Sequence, residues 1–152
     1  MSKTLRSSDS GRTFHELADV PIASFGACGI MADNNTYMHI GGTDVFSATS
    51  FNSTYILDLS ANTWSTGPQM SQARTFFSCN LIERCGRKEI VVMGGMSQDI
   101  FCDSSISCFT PSVEIYDIEA SVWRKGQIIF LCKLVSDRNR IFGRLKIPNI
   151  RL

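Results

Sequence analysis

Two apolar runs in this 152-residue chain end at paired glycines, TYMHIGG at 36–42 and EIVVMGG at 89–95. A lone Gly-Gly pair says little, because turns use glycine wherever positive φ is needed. The constraint comes from the segment downstream of each pair. YILDLSANTW (55–64) and EIYDIEASVW (114–123) align on their terminal tryptophans. Asp58 then falls on Asp117, Leu57 on Tyr116, Leu59 on Ile118 and Gly67 on Gly126. Gly42 and Gly95 are 53 residues apart, whereas Trp64 and Trp123 are 59 apart. The extra residues lie between Gly95 and Trp123, in the stretch carrying DIFCDSSISCF, and read as a longer loop. A chain repeating at this interval builds from units that bury their faces on one another.

The local pattern within each unit is β. TYMHI and EIVVM are short, apolar and rich in aromatic or β-branched residues, bounded by Asp33-Asn34-Asn35 and by Arg84 to Lys88. STYILDL and SVEIYDI alternate with the period of two that gives a strand one buried face. FSCNLIE at 77–83 reads as a further strand running into the turn RCGRK. No stretch has both the apolar periodicity and the caps of an amphipathic helix, so the expected body is all-β.

The ordered set Gly41-Gly42, Asp58 and Trp64, then Gly94-Gly95, Tyr116-Asp117 and Trp123, resembles the kelch repeat. GPQMSQART at 67–75 is similar to the kelch linker, in which a turn leads to an arginine ahead of the next unit. The resemblance covers residues 14–127 and implies a partial kelch-type β-propeller, with two four-stranded antiparallel blades and an irregular tail. The implied strands are 25–31, 36–41, 54–59 and 63–66, then 75–82, 88–94, 112–118 and 122–125. Residues 1–13 are expected to be a flexible leader and 128–152 a basic non-repeat tail. Some features depart from the family pattern. Leu57 stands where tyrosine is preferred, Ser24 or Phe25 where arginine is expected, and Phe14 in the place of a preceding Trp. No third Gly-Gly and no third Trp occur after Gly126. The smallest propeller ring needs about 200 residues, so the chain is expected to be a fragment, a truncated form or a gene-model product. Exposed blade edges then offer a route to self-association.

The repeat markers read as scaffold. Glycines at strand ends allow positive φ and close backbone approach. Trp64 and Trp123 are large enough to fill space between neighbouring blades, each with one N–H to satisfy. Asp58 and Asp117 sit at turn starts, where a carboxylate accepts backbone N–H groups.

Charge is unevenly spread although the formal net is +1. Residues 124–152 hold eight Lys/Arg against Asp137 alone, a balance of +7, and 1–123 carry −6. A basic tail can bind nucleic acid or an anionic membrane surface, but a solvated terminus is the plainer reading and nucleic acid is not an expected partner. No apolar stretch approaches the ~18 residues of a membrane span. MSKTLRSSDSGRTFHEL has no apolar core of a secretory signal, so a cytoplasmic location is expected. Export, with a signal missing from this chain, is the alternative. It would suit the sequons at Asn34 and Asn52 and a bridge from Cys102 to Cys108. The six cysteines contain no CxxC pair and no zinc framework, and in a reducing compartment most of them read as ordinary thiols, with the disulfide state left open.

An enzyme is not expected, and neither is a cofactor or a metal. His15 and His39 are the only histidines, and no phosphate-binding, nucleophile-elbow or HExxH motif occurs. Some propellers of kelch type are copper-dependent oxidases or sugar-processing enzymes, and nothing here reproduces their His and Tyr metal sets. A fragment of such an enzyme, or a non-functional truncated product, is the alternative to the preferred reading. That reading is a non-catalytic protein-interaction module, such as a substrate-recognition or scaffold unit. Its contact loops are 43–53 and 96–111, with Asp44, Phe46 and Phe51 on one and Asp99, Phe101 and Asp103 on the other.

Overall fold

The computed structural model describes residues 3–97, apart from 8, 45 and 48, and residues 109–127. Asp99, Phe101, Asp103, the Cys102–Cys108 pair and the tail at 128–152 lie outside the described residues. The chain is all-β. Strands β1 (Thr4–Arg6) and β2 (His15–Leu17) form a hairpin. Strands β3 (Cys28–Met31), β4 (Thr36–Ile40), β5 (Thr54–Asp58) and β6 (Thr63–Thr66) form one antiparallel sheet in that order. Strands β7 (Ser78–Arg84), β8 (Arg87–Met93), β9 (Val113–Asp117) and β10 (Val122–Gly126) form a second sheet of the same order. These are two propeller blades, and the chain is a partial kelch-type β-propeller.

Period-two alternation decides what meets between the blades. Along β4, Met38 and Ile40 are buried while Tyr37 and His39 turn to the opposite face. Met38, Ile40 and Cys28 join Ile90 and Val92 of β8 and Tyr116 of β9 in one core cluster. Ile56, Phe77 and Trp123 pack on its margin. Each fully buried aliphatic side chain contributes about 1.5–3 kcal/mol relative to exposure. Trp123 also crosses between the blades, its indole N–H donating to Pro68 O at 3.0 Å and to Thr54 Oγ1 at 3.2 Å.

The paired glycines have two physical reasons. Gly41 and Gly42 take φ of 61° and 96°, and Gly94 and Gly95 take 68° and 91°. A Cβ on Gly41 would lie 2.7 Å from Arg74 O, and one on Gly95 2.6 Å from Thr75 O. Each pair therefore marks where a strand turns and where neighbouring backbone presses against it, the linker's at Gly41 and the same blade's own entrance at Gly95. The outer hairpins close alike. Asp58 Oδ1 accepts the amides of Ser60 and Ala61, Asp117 Oδ1 accepts that of Ala120, and Asn62 and Ser121 supply a left-handed residue at φ of 51° and 53°.

The first hairpin corrects the reading of 1–13 as a leader. Trp64 donates its indole N–H to Ala18 O at 2.9 Å, and Ala18 precedes Pro68 by 50 residues. By the same offset Phe14 corresponds to Trp64. So β1–β2 stands to the first blade as β5–β6 stands to the second. Asp9 closes it, accepting the amides of Arg12 and Thr13 and the Thr13 hydroxyl. These bonds hold the Asp9 carboxyl down at about 2. Its three-residue strands are mostly exposed, so they carry no alternation for a sequence pattern to reveal.

A disulfide joins Cys28 of β3 to Cys79 of β7, with Cα atoms 6.3 Å apart, and staples the two inner strands together. The expectation of ordinary thiols does not hold for this pair. Cys85 is free and exposed.

Candidate functional site

Loop 43–53 leaves the Gly41-Gly42 turn and returns along the first blade. Thr43 bridges Phe25 on one side and Ser50 on the other, which extends the sheet beyond its strands. Asp44 comes next and folds the tip: its Oδ1 accepts the amides of Phe46 at 2.7 Å and Ser47 at 3.0 Å. Those amides hold the Asp44 carboxyl below its ordinary value, Ser47 having the larger effect. Phe46 is 100% exposed at the tip. Phe51 has a different position, half-buried and fixed through its backbone, its amide donating to Gly42 O and its carbonyl accepting from Arg74 N. Phe46 therefore projects from a tip that Asp44 folds, whereas Phe51 ties the loop to the linker.

The second blade repeats this end. Met96 bridges Thr75 and Phe109, as Thr43 bridges Phe25 and Ser50. Phe109 is exposed, and so are Phe25 and Phe76 at 58% and 52%. The rings of Phe25 and Phe76 meet edge to face at 5.2 Å. None of these three phenylalanines was expected at the contact surface. Their signal in the sequence was the apolar residue in polar surroundings at each strand entrance, which reads equally well as core.

Beneath this end lies a buried ion pair. Arg74 reaches from the linker into the second blade and is 0% exposed. Its guanidinium donates to Gly94 O, Ser112 O, Ser112 Oγ and Glu114 Oε1, the last at 2.7 Å. Glu114, 2% exposed, also accepts the amides of Ser71 and Gln72. Burial pushes the Glu114 carboxyl up, but the Ser71 and Arg74 hydrogen bonds together outweigh it and hold it below its ordinary range. In the first blade Ser24 holds the position of Arg74, each preceding the residue that bridges the Gly-Gly turn. Ser24 Oγ lies 2.7 Å from His39 Nε2, and burial keeps the imidazole toward its neutral form. Ser53, the counterpart of Ser112, keeps a buried hydroxyl with no hydrogen-bond partner among the described residues. Where the first blade has Ser24 in place of an arginine, the Ser53 hydroxyl is left without the donor that Ser112 has in Arg74.

Two hollows flank the blades. One of about 540 Å³ separates the β1–β2 hairpin from the first blade and is lined by Arg6, Leu17, Tyr37, His39, Leu57 and Trp64. The other, about 560 Å³, has a mixed lining and lies along Ser71, Gln72, Pro111, Val113, Glu114 and Lys125. Among the described residues no group of three His, Cys, Asp or Glu side chains is placed to hold a metal ion. No helix among them is long and apolar enough to cross a membrane.

The sheet order, paired glycines and tryptophan contacts are those of kelch-type propeller blades. Residues 40–71 match the family model described as the Kelch motif, which spans the Gly-Gly turn, Asp58 and Trp64 of the first blade. No curated protein sequence matches the chain. Among solved structures, the fold is similar to a fungal alcohol oxidase of the AA5 family in complex with copper, at a TM-score of 0.58 and 16% identity. The match covers 76% of this chain and 25% of the oxidase, so the chain spans about a quarter of that enzyme's length. At this identity the likeness describes the fold alone.

Proposed function

We propose that the chain is a non-catalytic protein-interaction module whose contact surface is the loop end of its blades, with Asp44 and Phe46 as the described contacts of loop 43–53. Asp99, Phe101 and Asp103 are proposed for the second loop. The observation carrying this reading is Phe46, a fully exposed aromatic ring on a tip braced by Asp44. An apolar ring held in water on a rigid turn costs solvation and is suited to burial against a partner. Kelch motifs commonly serve protein binding, which supports the class of partner and names no pathway. No cofactor is proposed.

A cytoplasmic location goes with a reduced Cys28–Cys79 pair and an oxidising compartment with the bond formed, so thiol labelling of the native protein separates the two. The binding reading is tested by immobilising the chain beside its Phe46→Ala and Phe101→Ala variants and comparing the proteins retained. The variants should melt with the parent and lose the retained set. Unchanged retention by both variants would falsify the assignment of these loops.

A further inference from the structure

The proposed contact surface leaves two features of the sequence unused, the Asn-X-Thr sequons at Asn34 and Asn52, and the fold treats them differently. Asn34 sits in the turn between β3 and β4. Asp33 shapes that turn, its Oδ1 accepting the amides of Asn35 at 2.7 Å and Thr36 at 2.8 Å. The Asn35 side chain is engaged across the sheet end, donating to Asp58 Oδ1 at 2.9 Å and accepting from the Ser60 hydroxyl. Asn34 is exposed between these braced neighbours, and among the described residues no hydrogen bond engages its carboxamide.

Asn52 is the opposite case. It is half-buried, and its Nδ2, the atom that would carry a sugar, donates to Met70 O at 3.1 Å. The threonine of its sequon, Thr54, is 0% exposed, and its hydroxyl accepts from the Trp123 indole at 3.2 Å. A sugar on Asn52 Nδ2 would push loop 43–53 off the linker, where Met70 donates to Asn52 O and Arg74 to Phe51 O.

The second observation is the Cys28–Cys79 bond. Disulfides form and persist in oxidising compartments, and an exported chain passes through the one in which Asn-X-Thr sites on surface turns are glycosylated. The pairing of β4 with β5 runs from Thr36 opposite Asp58 to Ile40 opposite Thr54, so the Asn34 turn and loop 43–53 stand at opposite ends of the sheet. A glycan at Asn34 therefore leaves the loop end uncovered.

We propose that Asn34 is a site of N-linked glycosylation and that Asn52 is not. The donor is an oligosaccharide carried on a polyprenyl diphosphate. A bond forms between Asn34 Nδ2 and the anomeric carbon of the first sugar, and that carbon's bond to the diphosphate oxygen breaks. The polyprenyl diphosphate departs as the amide gives up one proton, and nothing is oxidised or reduced. Chains glycosylated at Asn52 during synthesis would not close loop 43–53, so the folded protein carries its glycan at Asn34 alone. The inference requires passage through an oxidising compartment and does not depend on the contact surface proposed above.

The test uses the full 152-residue chain recovered from the cells that make it. Peptide-N-glycosidase in heavy-oxygen water converts each glycosylated asparagine to a labelled aspartate, and cleavage at Asp44 separates the two sequons for mass spectrometry. Asn34 should be labelled and Asn52 unlabelled, and the intact chain should move down a gel by a single mobility step. Made in the same cells, Asn34→Gln should lose that step completely while melting with the parent, because the Asn34 side chain has no bonds to lose. Asn52→Gln should keep it. An unlabelled Asn34 overturns the proposal, whether Cys28 and Cys79 are recovered as a disulfide or as thiols. Label at Asn52, or a step that survives in Asn34→Gln, overturns the selectivity and with it the argument from accessibility. Phe46→Ala acts at the other end of the sheet, so partner retention is read independently of either result.

Discussion

Replacing Arg74 with alanine tests how the second blade is held to the linker. The substitution removes four hydrogen bonds from a guanidinium with no solvent exposure and leaves Glu114 charged and 2% exposed. Breaking a buried pair from one side typically costs about 3–5 kcal/mol, because the remaining charge is uncompensated. Two features bear on this figure in opposite directions. Ser71 and Gln72 amides still reach Glu114 and soften the loss, while Gly94 O loses the guanidinium donor and the Ser112 oxygens keep only their Gly94, Thr110 and Gln72 partners. We expect about 3 kcal/mol, measured as a lower urea midpoint at unchanged slope. The double variant Arg74→Met with Glu114→Leu removes both charges and should recover most of that loss, as apolar replacements of buried pairs often do. An Arg74→Ala chain within about 0.5 kcal/mol of the parent would refute the buried, unscreened pair. A double variant no better than the single one would show that the hydrogen bonds to Gly94 and Ser112, and not the charge left on Glu114, set the cost.

Trp123→Ala should cost about 3–5 kcal/mol by opening the interblade seam, and a near-neutral melting shift would remove Trp123 from that role. Reducing the Cys28–Cys79 bond frees a loop of 51 residues and should lower stability by about 4 kcal/mol on the chain-entropy model; identical denaturation curves with and without reductant would contradict it. Glu114 also sets a pH dependence. Its folded pKa lies below the ordinary 4.5, so its contribution is complete above 4.5 and is lost as pH falls through the folded value. The urea midpoint should therefore drop below about pH 4.5, and Glu114→Gln should flatten that drop.

Most strand positions were legible because each unit repeats the same turn chemistry. The expected 36–41, 54–59 and 63–66 are realised as Thr36–Ile40, Thr54–Asp58 and Thr63–Thr66. The inner strand expected at 25–31 begins later, at Cys28, since Phe25 makes only an isolated bridge across the Gly-Gly turn. What stayed hidden depends on contacts between units. Alternation shows that Glu114 faces a blade interior, yet its partner is Arg74, 40 residues away. Cys28 and Cys79 share no spacing motif and meet only because neighbouring inner strands lie side by side. The β1–β2 hairpin is too short and too polar to show a period. The loop end was proposed as a contact surface from its phenylalanines and aspartates. The Phe25–Phe76 pair was not, because the left-handed backbone of Phe76, with φ of 52°, leaves no trace in a sequence.

The Cys28–Cys79 bond has a topological effect apart from its energy. It closes a covalent circle that contains all of the first blade after Cys28, the linker and the start of the second. A protease that cuts once within residues 29–78 therefore yields two pieces that migrate together until reductant is added. A cut in the long loop at 96–111 falls outside the circle and releases β9 and β10 once their hydrogen bonds are disrupted. Limited digestion, run with and without reductant, thus reports which loop was opened before any fragment is sequenced.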